Sequence, residues 1–152
     1  MPNIPTIYLD SCCLNRPFDD QTVDRIKIES EAIILILKNA RNGKIKLIGS
    51  DVLLLEISKT LDPVRKFKLS SLTKSINKFV VSDTTIRNRA KMLSEIGFNG
   101  FDAYHIACAE KEMVDLFLTT DDKIIKLFSR NQKTIRISIK NPIQWMQEYY
   151  LK

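Results

Sequence analysis

Glycine and proline are scarce, four and five in a chain of 152 residues. So few breakers exclude a collagen-like, linker-rich or low-complexity chain and leave one dense in regular structure. Long apolar runs are missing as well. Ile33-Ile34-Leu35-Ile36-Leu37 is strongly apolar, but Glu31 precedes it and Lys38 follows. It reads as a buried helix segment, and no stretch is long enough to span a membrane. The N-terminus lacks the basic region and small-residue cleavage site of a signal peptide, so a cytoplasmic location is the expectation. The three cysteines, Cys12, Cys13 and Cys108, form no CxxC pair and no zinc spacing. Adjacent cysteines strain the peptide between them when bridged, so all three are expected as reduced, largely buried thiols. There is a single histidine, His105, and nothing in the sequence ties it to Cys12 as base to nucleophile. A glycine-rich phosphate loop is absent, and Cys12 stands where a DxD pair would end. Both features count against a nucleotide-binding or phosphatase chain.

What is present is an alternation of strands and helices. Hydrophobic residues make up 44%, enough for one domain with a sizeable core over residues 1–152. Ile4–Leu9 reads as a first strand, and Asp24–Arg41 as a helix with apolar residues at helical spacing that ends near Gly43. Lys44–Ile48 is a second strand. Gly49-Ser50-Asp51 reads as a turn in which Ser50 caps the helix carrying Glu56. Pro63 opens a helix to about Ile76. Phe79–Val81 is a strand, and Ser82-Asp83-Thr84 caps a helix to about Ile96. Gly97 and Gly100 bracket a loop before a helix over Phe101–Met113. Leu116–Thr119 is a strand, followed by a helix from about Asp122 to Phe128. Ile135–Ile139 is a last strand, and Pro142 opens a terminal helix to Tyr150. Such alternation predicts βαβ units: an α/β chain with a mainly parallel central sheet and helices on both faces, a three-layer α/β/α sandwich.

In such sheets, sites lie outside the carboxyl ends of the strands. Asp10 follows the first strand, Asp121 and Asp122 follow the fourth, Asp102 lies in the first turn of its helix, and Glu56 in the helix after the second strand. Carboxylates gathered at one sheet edge repel, so some protonate or a cation sits among them. A hard divalent ion, Mg²⁺ or Mn²⁺, suits oxygen ligands and a phosphate substrate. Each acid also has a plainer reading. Asp10 fits a turn, Glu56 a pair with Lys59, Asp102 the helix dipole, and Asp121 with Asp122 a cap. Asp83 follows a strand too, but its Ser-Asp-Thr-Thr context makes it a cap. The net charge of +6 favours an anionic partner, nucleic acid being the commonest. Basic residues cluster at Lys38–Lys46, Arg65–Lys68 and Arg130–Arg136, one group of which is expected beside the acids. Arg16 is a candidate phosphate contact from a loop over 16–20. Tyr104, Trp145, Tyr149 and Tyr150 serve either base stacking or packing.

At IYLDSCCLN, GSDVLLLEISK, FDAYHIACAEKE and LFLTTDDKIIK the sequence resembles the PIN-domain family, compact α/β nucleases that include VapC-type toxins. The resemblance covers nearly the whole chain. It implies Mg²⁺- or Mn²⁺-dependent cleavage of RNA to a 5′-phosphate and a 3′-hydroxyl. Asp10, Glu56, Asp102 and Asp121 fall on the family's four acids, with Asp122 a near alternative for the fourth. Ser11 and Thr119 fall on hydroxyl positions that orient ligands, and His105 is expected to support the site from behind rather than act as a base. A small antitoxin protein and a homodimer are partners the family implies. One departure is Cys12, which stands where many members carry Asn and offers no amide. It keeps open an alternative, a non-catalytic PIN-fold module that binds RNA or protein without cutting.

Overall fold

The structure, a computed structural model, describes residues 3–150. Five strands form one sheet: β1 Thr6–Leu9, β2 Lys46–Ser50, β3 Lys78–Val80, β4 Leu116–Leu118 and β5 Ile139–Lys140. They lie in the order β3-β2-β1-β4-β5, and every pairing is parallel. Among the described residues, the eight α-helices are α1 Ser11–Asn15, α2 Asp24–Arg41, α3 Asp51–Ser58, α4 Pro63–Leu72, α5 Thr84–Ile96, α6 Gly100–Glu112, α7 Asp122–Arg130 and α8 Pro142–Tyr150.

Alternation along the strands divides the molecule into layers. Tyr8, Ile48 and Phe117 point to one face, where they pack with Ala90 and Leu93 of α5 and Ile106 of α6. Ile7, Leu9, Leu47 and Leu118 point to the other, against Ile33, Ile36 and Leu37 of α2, Leu69 of α4 and Trp145 of α8. Period-2 side chains that are apolar on both faces are the mark of a sheet covered on both sides. The expected α/β/α sandwich is what forms, with a wholly parallel sheet. Its strand order reverses direction between β1 and β4, and the crevice at their carboxyl ends is where such sheets place their sites.

The differences from the sequence reading have local causes. Gly49 and Ser50 belong to β2 rather than to a turn. A Cβ on Gly49 would lie 3.1 Å from Ile76 and 3.2 Å from Phe79, so the glycine serves a close approach of neighbouring segments. Ser50 still caps α3, accepting the Leu53 N–H at 3.0 Å. Asp83 caps α5 as expected. Gly97, with φ of 130°, closes α5, while Gly100 already opens α6, so the loop between them is only Phe98 and Asn99. The last strand is much shorter than Ile135–Ile139. Ile135 and Ile137 are buried, but the backbone near them is held by side chains instead of the sheet. Arg89 donates to the Thr134 carbonyl at 2.7 Å, and the Arg136 N–H donates to Glu110 at 2.9 Å. Within the loop expected over residues 16–20, Arg16–Phe18 form a short 3₁₀ helix, and the preceding Ser11–Asn15, to which the sequence reading gave no element, form α1. Five residues with two cysteines give little periodicity by which to see it. Among the described residues, no helix is long and apolar enough to cross a membrane.

Candidate metal centre

Four elements deliver the site. Asp10 follows β1 directly and is buried. Its Oδ2 accepts the Thr119 hydroxyl at 3.0 Å, and that hydroxyl oxygen in turn accepts the Asp121 N–H at 3.1 Å. Thr119 therefore ties the end of β1 to the end of β4 across the switch point. Asp121 caps α7, its Oδ1 accepting the Lys123 N–H at 2.9 Å. Asp102 is in the first turn of α6, and its carboxylate accepts no hydrogen bond among the described residues.

Glu56 projects from α3. It does not pair with Lys59. Its Oε1 lies 2.6 Å from Nε2 of His105, which is wholly buried in α6. Nδ1 of His105 is 2.6 Å from the Tyr8 hydroxyl, and that hydroxyl is 2.7 Å from Ser50 Oγ. Nε2–H donates to Glu56, and the Tyr8 hydroxyl bridges Nδ1 and Ser50, whose Oγ accepts the Leu53 N–H. The chain runs from the sheet interior to the carboxylate and fixes its orientation, the role that histidines and hydroxyls commonly take behind a metal ligand.

The tightest group consists of Asp10, Glu56 and His105, whose ligand atoms all lie within 4.8 Å of one another. Asp102 and Asp121 are coupled to it through charge. Burial, then the charges of Asp10, Asp121 and Glu56, raise the Asp102 carboxyl to about 6, against a smaller opposite pull from His105. Burial pulls His105 down, but the hydrogen bond to Glu56 and the charges of Asp10, Glu56 and Asp102 outweigh it, and its pKa is raised. Burial pushes Glu56 up, yet its bond to His105, that residue's charge and the Ser11 hydroxyl leave its pKa lowered. Asp10, Glu56 and His105 thus come together directly, Thr119 and Ser11 touch Asp10 and Glu56, and Asp102 and Asp121 stand within reach of their charge.

Two other candidates are held elsewhere. Asp122 points away, in a bidentate pair with Arg25 at 2.7 and 2.8 Å, so Asp121 is the acid of the pair that remains at the crevice. Arg16 spends Nε on Glu29 at 2.9 Å and Nη1 on Asp19 at 3.1 Å, a bracing role between the 3₁₀ helix and α2. Cys12 corrects a different expectation. Without an amide it still joins the network behind the acids. Its sulfur accepts the Thr120 N–H at 3.3 Å and lies 3.4 Å from Asp10 Oδ2 and from Thr119 Oγ1. Cys13 and Cys108 are buried and unpaired, and burial pushes the Cys108 thiol up to about 12. Sequence reasoning missed Tyr8 and Ser50. The signal was a tyrosine hydroxyl in an otherwise aliphatic strand, which needs a buried partner.

The donor set fits a hard divalent cation. It is carboxylate oxygen throughout, the charges of Asp10, Asp121 and Glu56 help raise the Asp102 carboxyl, and no lysine or arginine pairs with Asp10, Asp102 or Asp121 among the described residues. His105 has both nitrogens engaged, so it supports the set from behind.

No protein-family model matches the chain, and no curated protein does. Solved structures do. FitAcB from Neisseria gonorrhoeae is 16% identical with a TM-score of 0.56, covering 90% of this chain and 97% of that one. VapBC-1 from nontypeable Haemophilus influenzae is 14% identical with a TM-score of 0.57, over 90% and 98%. VapBC2 from Rickettsia felis, bound to a DNA fragment from their promoter, is 15% identical with a TM-score of 0.56, again over 90% and 98%. Identity this low speaks to fold. The chain has the PIN-like α/β/α fold of the matched chains in these FitAcB and VapBC structures.

Proposed function

We propose that this chain is a Mg²⁺- or Mn²⁺-dependent endoribonuclease and the toxin of a toxin–antitoxin pair, with a small antitoxin as partner and a homodimer as its assembly. The observation that carries the reading is the carboxylate crevice at the β1/β4 switch point, in which Asp10, Asp102 and Asp121 pair with no lysine or arginine among the described residues and Glu56 pairs only with His105. These four residues would hold the ion. A divalent cation bound there supplies Lewis acidity to a phosphoryl oxygen and makes water acidic enough to attack at neutral pH.

The chain's own groups do the rest. Thr119 and Cys12 hold Oδ2 of Asp10, and Oδ1 would serve the ion. The Ser50–Tyr8–His105 relay holds Oε1 of Glu56, and the Ser11 hydroxyl adds a contact to that carboxylate. Asp121 keeps Oδ2 free while Oδ1 caps α7. Asp102, raised to about 6, is mostly ionised at pH 7 and so retains a strong pull on an incoming ion. The net charge of +6 draws a polyanion to a molecule whose site is locally negative. Cleavage leaves a 5′-phosphate and a 3′-hydroxyl.

The test is cleavage of a mixed RNA pool by the purified chain with Mn²⁺, beside Asp102→Asn. Cleavage that needs Mn²⁺ and disappears in the variant supports the reading. A folded wild-type chain that leaves every RNA intact overturns it.

A further inference from the structure

The amino edge of the sheet, opposite the acids, carries two adjoining cavities. The larger, about 550 Å³, is lined by Thr85, Glu110, Lys111, Met113, Val114 and Arg136. The smaller, about 50 Å³, shares Thr85, Glu110, Lys111 and Arg136 with it and reaches Arg89. Val114 and Arg136 precede β4 and β5, whereas Asp10 and Asp121 follow β1 and β4. Along α6, Lys111 comes nine residues after Asp102, about 13 Å of helix. The cavities are thus separate from the metal crevice.

The one carboxylate in the lining is fully engaged. Oε1 of Glu110 accepts Nε–H of Arg89 at 2.7 Å, and Oε2 accepts Nη2–H of Arg89 at 3.0 Å and the Arg136 N–H at 2.9 Å. Glu112, beside Lys111 in sequence, is held by Lys78 at 2.8 Å. What remains is a set of donors. Arg89 is 9% exposed, and its Nη1 has no partner among the described residues. The Lys111 ammonium, the Arg136 guanidinium and the Thr85 hydroxyl have none there either. Arg89 and Glu110 cancel, so the charges of Lys111 and Arg136 stay uncompensated.

The chemistry that matches this lining is a phosphate monoester. It is close to a dianion at neutral pH and offers three acceptor oxygens. A phosphodiester within a strand carries a single charge. Guanidinium groups grip phosphate oxygens with a fixed fork of donors. Val114, which is buried, and Met113, which is exposed, add an apolar wall. The larger cavity falls within the range of about 300–1,000 Å³ usual for small-molecule pockets. We propose that this double cavity binds an organic phosphate monoester, its phosphate among Lys111, Arg136 and Nη1 of Arg89 and its carbon portion against Val114 and Met113. Such a group comes free, as in a mononucleotide, or as the 5′-phosphate at the end of a strand.

The test is calorimetric titration of 5′-AMP into the chain in EDTA, with adenosine alongside. EDTA keeps the acid crevice from taking phosphate through a metal. Saturable binding of 5′-AMP, and none of adenosine, is expected. Arg136→Gln and Lys111→Gln are each expected to weaken it about tenfold or more, the loss of one charge-assisted hydrogen bond. Both side chains are exposed, and Arg136→Gln keeps its backbone N–H on Glu110, so both variants are expected to melt with the wild type. A short RNA carrying a 5′-phosphate, beside the same RNA with a 5′-hydroxyl, separates the two sources. A 5′-phosphate RNA that binds about tenfold tighter than its 5′-hydroxyl twin, an advantage lost in Arg136→Gln, assigns the strand end. Binding of 5′-AMP without that advantage assigns the free monoester. Neither 5′-AMP binding nor a 5′-phosphate advantage overturns the proposal. Adenosine that binds as well as 5′-AMP overturns it, as does 5′-AMP affinity that both variants leave unchanged. So does an equal loss of affinity for both RNAs in Arg136→Gln without binding of 5′-AMP, which marks a polyanion surface instead.

Discussion

Glu29 and the acids around Asp10 are treated in opposite ways by this molecule. Glu29 on α2 is fully buried and accepts Arg16 at 2.9 Å, Arg25 at 3.3 Å and Asn141 at 2.6 Å. Its charge is matched by cations of the fold, and the result joins α2 to the 3₁₀ helix and to the start of α8. The crevice of Asp10, Glu56, Asp102 and Asp121 holds more acid and receives from the chain only one histidine. Burying charge without a partner is costly, so a fold that completes its ion pairs at Glu29 and gives Asp10, Asp102 and Asp121 none among the described residues leaves room for a cation from outside. Arg89 with Glu110, at 2.7 and 3.0 Å, is a second example of the complete kind.

The contrast breaks most sharply at Asp10. Asp10→Asn keeps the Thr119 contact but removes a ligand charge, and is expected to lower Mn²⁺-dependent RNA cleavage about a thousandfold or more, with an unchanged circular dichroism spectrum. The complementary change is Glu29→Ala, which strands Arg16 and Arg25. It is expected to cost about 3 kcal/mol in chemical denaturation while leaving Mn²⁺ affinity intact, because both arginines reach solvent and recover part of the loss.

The next effect is one of pH. Asp102 must lose its proton to bind a cation, and its carboxyl is raised to about 6. Mn²⁺ affinity is expected to rise about tenfold between pH 5 and pH 7, read by titration calorimetry in non-coordinating buffers. The sign for metal-free stability is the reverse. A carboxyl that holds its proton more tightly when folded makes the chain less stable as pH rises from about 4 through about 6. Asp102→Asn is accordingly expected to stabilise the metal-free protein at pH 7 by about 1 kcal/mol, after the screening due to a partly exposed group. Loss of function with a gain in stability is the pairing that separates this crevice from the Glu29 hub.

The smallest effect belongs to Cys12. Its thiol already accepts the Thr120 N–H and stands beside Asp10. Cys12→Asn is expected to change the cleavage rate by less than about threefold and the thermal midpoint by only a degree or two.

Much of this was legible in the residues. Alternating strands and helices gave the layers, and acids at strand ends and a helix start gave the crevice, because a parallel sheet sends its carboxyl ends to one edge. What escaped the sequence was pairing across distance. Glu29 draws partners from positions 16, 25 and 141, and the His105 relay runs through residues 8, 50 and 56. No local spacing encodes such meetings. Lys59 was readable only as the i+3 neighbour of Glu56, since the claim of His105 on that carboxylate becomes visible only in the fold. The shortened β5 has the same cause, with Glu110 and Arg89 binding backbone that β-propensity alone would give to the sheet.

The most direct measurement is isothermal titration of Mn²⁺ into the metal-free chain at pH 7, with Asp102→Asn and Glu29→Gln titrated alongside. Saturable binding to the wild type and to Glu29→Gln, absent from Asp102→Asn, is the result expected if the crevice is left for a divalent cation. No binding to a folded wild-type chain, or equal binding to Asp102→Asn, would contradict it.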